Sequence, residues 1–423
     1  MFKTLRNAWK IPDLRNRMLY TLLMIFIFRL GTFIPVPGLK SGALQSLLGD
    51  GNNLFSLLDA FSGGAFANAT IFAMSITPYV NSSIIMQLLT VAIPSLERLA
   101  KEGEEGRKII AKWTRYVTVI LAFIQATGLY FALRNVITNQ GVGGYITLVA
   151  TFTAGTAFLM WLGEEITDKG VGNGISIIIF AGIVSRIPTM ITNIIANFEA
   201  GSLNVWQLIA IVVIAVVMVA FVVFIDNAER RIPVQYAKRM VGRKMYGGQS
   251  SHIPIKVAMA GVIPIIFAMS IMTFPSTIMG FMGYNPSATT FWGKFWRLFT
   301  NTSWVYVVLY FLLIIFFTYF YTAIQFNPIE IANNMKRNGG FVPGIRPGKP
   351  TSDYINKILT RITLAGAIFI GIIAIFPMIL GMIMQVNLSI GGTSMLIVVG
   401  VALETVKQIE SQMLMRHYKG FLE

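Results

Sequence analysis

The sequence has no cysteine and only two histidines, His252 and His417, in 423 residues. Disulfides, thiolate metal sites and thiol nucleophiles are therefore excluded, and no HExxH helix or histidine cluster exists to hold zinc. Charge is also scarce, at 12% of residues against 55% hydrophobic. Inside the long apolar runs the main ionisable residues are Arg29, near one end of the first run, and Glu404, near one end of the last. A long side chain so placed can snorkel to the membrane interface, and that is the reading adopted for Arg29. Two glycine-rich stretches fail as phosphate loops. No strand precedes KGVGNGIS (169–176), while PGIRPGK (343–349) lacks both the P-loop glycine spacing and the Ser or Thr after its lysine. No nucleophile, acid–base set, metal site or cofactor site emerges, so an enzyme is not expected. Any work the chain performs must be driven by a partner or a gradient.

What the chain has in abundance is apolar sequence. A helix crosses the hydrocarbon layer with about 20 residues, and ten runs of that kind stand at approximately 18–35, 70–93, 116–133, 145–162, 175–196, 206–225, 257–280, 303–325, 362–384 and 392–409. The runs are continuous where barrel strands would alternate, so the expected class is all-α: a polytopic helical bundle. No small-residue cleavage site follows TLLMIFIF, so the first run is read as a retained span and not as a signal peptide. Ten spans put both ends on one side, and 28 of the 34 Lys and Arg fall in the termini and connections of that side. The positive-inside rule makes that side cytoplasmic. The net charge of +16 follows from topology and is no evidence for nucleic acid.

One apolar stretch is too short to cross. Leu54 to Phe66 spans 13 residues, about 20 Å as a helix, contains Asp59, and ends in Ser62-Gly63-Gly64. Non-spanning backbone at membrane depth must be buried in protein or line a water-filled cavity; the competing reading is an amphipathic helix on the membrane surface. Two further features point to helices that are interrupted or paired. Pro78 is expected to interrupt the second run, and Gly261 with Pro264 the seventh. Val80/Ile84 and Ile175/Ile179 are i,i+4 pairs that face one way, as ordinary helix packing also produces.

FIPVPG (33–38), FSGGAFANATIFAMSITPYVNSSIIMQLL (61–89), GVGNGISIIIFAGIV (170–184), RRIPVQYAKR (230–239), AGVIPIIFA (260–268), GGFVPGIRPGKPT (339–351) and GGTSMLIVVGVALE (391–404) together resemble the SecY family, the central subunits of bacterial protein translocation channels. The resemblance runs through all ten spans without a large gap. It implies a pore between two pseudo-symmetric five-helix halves, 1–205 and 206–423, related as an inverted repeat. It makes the short segment a plug, formed by Leu54, Phe55, Leu57, Leu58, Asp59, Phe61, Ser62, Gly63 and Gly64. A short helix on a Gly-Gly tether, held by few contacts, suits an element that must leave when a chain arrives.

The same resemblance implies an aliphatic ring at the pore waist, made by Val80, Ile84, Ile175, Ile179, Ile266 and Ile397; the family more often has isoleucine at the position of Val80. The second and third spans would part from the seventh and eighth as a lateral gate, with Asn81, Ser82, Gln87, Ser270 and Phe274 along the seam. Asn81, Ser82, Ser83 and Gln87 either hydrogen-bond across that seam or only hold helices together. In the long basic connections, 226–256 and 326–361, which show no evident structure, Arg243 and Lys244 resemble a tip that meets ribosomal RNA. Arg346 resembles the residue that couples to the motor ATPase SecA or to the ribosome. Implied partners are the small membrane subunits SecE and SecG, preprotein signal peptides and membrane lipids, in a bacterial plasma membrane. The alternative is a secondary transporter for a small solute, which also uses about ten helices and broken spans but calls for polar groups at the midplane.

Overall fold

The computed structural model describes residues 2–39, 59, 62–133, 137, 141–201, 204–236, 239–241, 244–246, 250–282, 303–384 and 392–419. Helices come first in chain order: α1 (Phe2–Trp9), α2 (Pro12–Gly31), α3 (Thr77–Ala92), α4 (Pro94–Lys101), α5 (Glu104–Ala132), α6 (Val142–Lys169), α7 (Gly174–Ser185), α8 (Ile187–Glu199) and α9 (Val205–Asn227). Four strands follow, β1 (Glu229–Tyr236), β2 (Arg239–Val241), β3 (Lys244–Tyr246) and β4 (Ser250–Lys256). The chain then continues through α10 (Ile263–Met282), α11 (Trp304–Gln325), α12 (Pro328–Arg337), β5 (Gly340–Phe341), α13 (Lys349–Met384) and α14 (Gly392–Lys419). Each of the ten expected runs coincides with a helix: α2, α3, α5, α6, α7 with α8, α9, α10, α11, α13 and α14. Among the described residues six helices are long and apolar enough to cross a membrane, or seven if α3 and α4 count as one bent span.

The second and seventh spans start later than expected, and for the same reason. Pro78 and Pro264 each occupy the second residue of their helix, so proline opens these helices and does not interrupt them. The missing proline N–H falls where a helix has no partner for it anyway. Residues 70–76 before α3 are turns, with most of their side chains buried. Their backbone is satisfied by the protein: Ile71 N–H donates to Ile34 O at 3.1 Å, Val36 N–H to Ala69 O at 2.8 Å, and Ser75 N–H to Phe72 O at 2.8 Å. This is the condition under which irregular backbone survives at membrane depth.

At its other end α3 bends by 101° into α4. The bend follows from Pro94 at the first position of α4, since the residue before a proline is driven out of the helical region; Ile93 stands at φ −109°, ψ 113°. Helix–helix approach elsewhere relies on small residues. A Cβ on Gly174 would lie 2.0 Å from the carbonyl oxygen of Gly163, so α6 and α7 meet backbone to backbone there.

The connections 226–256 and 326–361, expected to lack structure, form one folded module. β1 pairs antiparallel with β4 from Glu229↔Lys256 to Gln235↔Ser250, and with β5 at Gln235↔Phe341 and Tyr236↔Gly340. β1 buries Ile232 and Val234 and exposes their neighbours. Those two side chains join Ile255, Met335, Val342, Ile355 and Leu359 in a core separate from that of the membrane bundle. Pro233 is tolerated in the middle strand because β5 reaches only Gln235 and Tyr236, leaving that side of Pro233 unpaired.

Candidate functional site

Four helices contribute the six ring positions, and the structure brings all six into one apolar cluster. Val80, Ile84, Ile179 and Ile397 are buried in it, and Ile175 and Ile266 pack against it half-buried. The i,i+4 spacing on α3 and α7 turns each pair toward the same interior. A cavity of about 230 Å³ meets the cluster on the side of the chain termini, where Ile266, Leu396 and Ser176 belong to its wall. Further out the wall turns polar, with Asp226, Lys256, Glu404 and Lys407. Lys407 Nζ lies 2.5 Å from Asp226 Oδ2, which ties the end of α9 to α14.

α10 packs against both α3 and α5. The Ser82 hydroxyl, expected on that seam, donates to Thr114 O on α5 at 2.7 Å and is fully buried. It holds α3 to α5 on one side of the seam and does not bridge to α10. Gln87 Oε1 is buried with no hydrogen-bond partner among the described residues. Asn81 and Ser270 are half-buried on their helices. The side chain of Phe274 lies outside the described residues.

Leu54, Phe55, Leu57, Leu58 and Phe61 of the short segment also lie outside the described residues. Its far end is described, and it is held more firmly than a loose tether would be. Asp59 is 1% exposed, and its Oδ2 accepts from Arg186 at the junction of α7 and α8. Its Oδ1 accepts from Ala67 N–H at 2.8 Å, and its backbone carbonyl from Gly64 N–H at 3.0 Å and the Ser62 hydroxyl at 3.2 Å. Burial raises the Asp59 carboxyl above its ordinary pKa, against the opposing pull of Arg186. Half-buried Arg29 has protein partners: its Nη1 donates to Gly63 O at 3.1 Å and to the Ser185 hydroxyl at 3.0 Å. Its guanidinium also stands 5.4 Å from the Phe33 ring centre. Gly63, at φ +66°, passes so close to α7 that a Cβ would lie 2.7 Å from Ser185 Oγ and 3.0 Å from the Gly182 backbone. A lone arginine inside an apolar run was the sequence signal for this contact; nothing in the spacing pointed to its partners.

On the folded module Arg346 is exposed and forms no ion pair among the described residues. Its backbone is fixed by Thr351, whose hydroxyl donates to Arg346 O at 2.8 Å, and by the turn closed from Ile345 N–H to Val342 O at 3.0 Å. Lys244 opens β3, which pairs with β2. Arg243 lies outside the described residues.

The SecY family model matches residues 70–406. A protein translocase subunit SecY of Streptomyces galbus is 46% identical over 444 residues and one of Halalkalibacterium halodurans 47% over 437, each alignment covering 100% of both chains. Among solved structures, a protein-conducting channel superposes with a TM-score of 0.66 at 18% identity. A SecY structure concerned with its plug domain, the closed state and the membrane seal scores 0.65 at 18%, and Sec61 in a canine ribosome–channel complex 0.63 at 17%. Each superposition covers 96% of both chains and shows the fold. Matched by the family model over most of its length and by full-length relatives at nearly half identity, this multi-pass membrane protein belongs to the SecY family.

Proposed function

We propose that the chain is the pore-forming subunit of a protein-conducting channel that passes unfolded preproteins across a bacterial plasma membrane and releases transmembrane segments sideways into lipid. The observation that carries the reading is that Val80, Ile84, Ile175, Ile179, Ile266 and Ile397, from α3, α7, α10 and α14, all belong to or pack on the apolar core of the bundle, where Ile266 also lines the cavity. These six side chains are the ring that seals the resting pore and seats around a passing chain. The segment 54–66 is the plug on the opposite side, and α3 with α5 against α10 with α11 is the lateral gate. The halves 1–205 and 206–423 are the two walls. A matching detail supports their correspondence: the helix of the second span of each wall, α3 and α10, is opened by a proline after a stretch of buried or half-buried turns.

The basic connections and both termini face the cytoplasm. There the module carrying Lys244 and Arg346 docks the ribosome or a SecA-type motor, with Arg243 and Lys244 meeting phosphate. SecE- and SecG-type subunits complete the complex. The solute-transporter reading is not supported, since the side chains gathered where substrate would bind are aliphatic.

Purified chain, reconstituted into vesicles with two small single-span subunits and a SecA-type ATPase, is expected to move a preprotein into a protease-protected lumen in an ATP-dependent way. Ile84→Asn with Ile179→Asn should wet the ring, raise ion leak in planar bilayers, and admit weak signal sequences more readily by destabilising the closed state. A wild-type complex that moves no preprotein, or a double variant as ion-tight as wild type, contradicts the reading.

A further inference from the structure

We propose that Arg186 and Arg29 position the plug as a two-point latch, Arg186 holding the Asp59 carboxylate and Arg29 clamping the Gly63 carbonyl against Ser185. The proposal rests on the channel reading above and assigns a role to residues that the ring, gate and docking module do not use.

Three observations converge on it. Asp59 is almost completely buried, where a carboxylate is costly unless paired, and its partner among the described residues comes from 127 residues away at the α7–α8 junction. Arg29 lies in the apolar part of α2, where an arginine is costly, and its Nη1 is directed at the backbone of the same segment. The Ser185 hydroxyl accepts from Arg29 and donates to Gly182 O at 2.7 Å, so the second clamp is anchored to α7, a helix that carries two ring residues. Both points therefore join the plug, which must move aside for a passing chain, to the region of α7.

The energetics follow from desolvation. An ion pair of this kind adds little to stability by itself, but removing Arg186 leaves the Asp59 carboxylate buried and uncompensated, while removing Asp59 deprives the one-third-exposed Arg186 of its partner. With the plug displaced, Asp59 and Arg186 are both hydrated, so loss of one partner penalises the closed state alone. The latch thus sets how much a signal sequence must contribute to open the channel.

The test uses the full reconstituted complex. Arg186→Asp and Asp59→Arg are each expected to raise resting ion conductance about tenfold and to rescue a preprotein with a weakened signal sequence. The double variant, which restores a pair of opposite charges with reversed orientation, should return most of the way to wild type. Asp59→Asn and Arg186→Gln, which keep shape, provide gentler versions should a reversed charge prevent assembly, and a smaller rise is expected from each. Ser62→Cys in the cysteine-free chain adds a readout independent of conductance. A membrane-impermeant maleimide applied opposite the termini should react slowly with it, and about tenfold faster when Arg186→Gln is added. Resting conductance and thiol reactivity unchanged in the single variants, or a double variant no tighter than its parents, overturns the latch while leaving translocation itself intact. Absence of translocation by the wild-type complex instead removes the channel reading on which the latch rests.

Discussion

A short disulfide between α3 and α10 is expected to stop both secretion of preproteins and insertion of membrane proteins, and reduction to restore both. The chain contains no cysteine, so an engineered pair is the only thiol chemistry in it. One cysteine is placed between Ile84 and Thr90 and the other between Ala268 and Phe274, and pairs are scanned for oxidation. The two helices already pack against each other, so the bond asks for no rearrangement of the closed wall. Once formed it holds its two Cα atoms within about 7 Å, which leaves no passage for a helix about 10 Å wide. A long flexible crosslinker at the same positions should leave activity largely intact, which separates restriction of movement from damage to the fold. Quantitative oxidation with unchanged insertion and secretion would place the exit to lipid elsewhere.

The gate also shows where sequence reasoning reached and where it stopped. Apolar continuity over a bilayer's width is a strong constraint and located ten helices, while i,i+4 spacing puts Val80 with Ile84 and Ile175 with Ile179 on one face each; the ring as a whole is implied only by the family resemblance. The helix starts were misjudged. Hydropathy sees that 70–76 and 257–262 are largely apolar, but their turns are held by partners distant in sequence, such as Ile34 for Ile71, and no local pattern encodes those. The resemblance sets Ser82 along the seam, although the 100° step between successive helical residues turns its hydroxyl to Thr114. The sheet was hidden by charge: RRIPVQY and SHIPIK alternate as strands do, yet Arg and Pro within them read as a solvated loop. The ion pair of Asp59 with Arg186 joins a lone acid in a short apolar segment to a base inside the apolar run 175–196. Pairing across such a sequence distance is a tertiary fact.

Arg346→Glu is expected to abolish motor-driven secretion while leaving resting conductance at the wild-type level, because this side chain belongs to the docking module and not to the pore. Its guanidinium is exposed and its backbone is held on both sides. Gly344 at φ +80° and Gly348 at φ +104° form the turns that present it, and the neighbouring Ile345 packs into the module core. A cation on a braced turn loses little freedom when it meets an acidic or phosphate partner, so a large share of its interaction appears as affinity. Reversing the charge replaces attraction by repulsion at that contact. Substitution of an exposed side chain typically changes stability by less than about 0.5 kcal/mol, so the thermal unfolding of the complex should not move. Arg346→Lys, which keeps the charge but loses the planar fork, should retain part of the activity. The experiment measures ATP-dependent preprotein uptake and motor binding by the same vesicles. Normal uptake by the Glu variant, or a loss of uptake accompanied by ion leak, would remove Arg346 from the coupling surface.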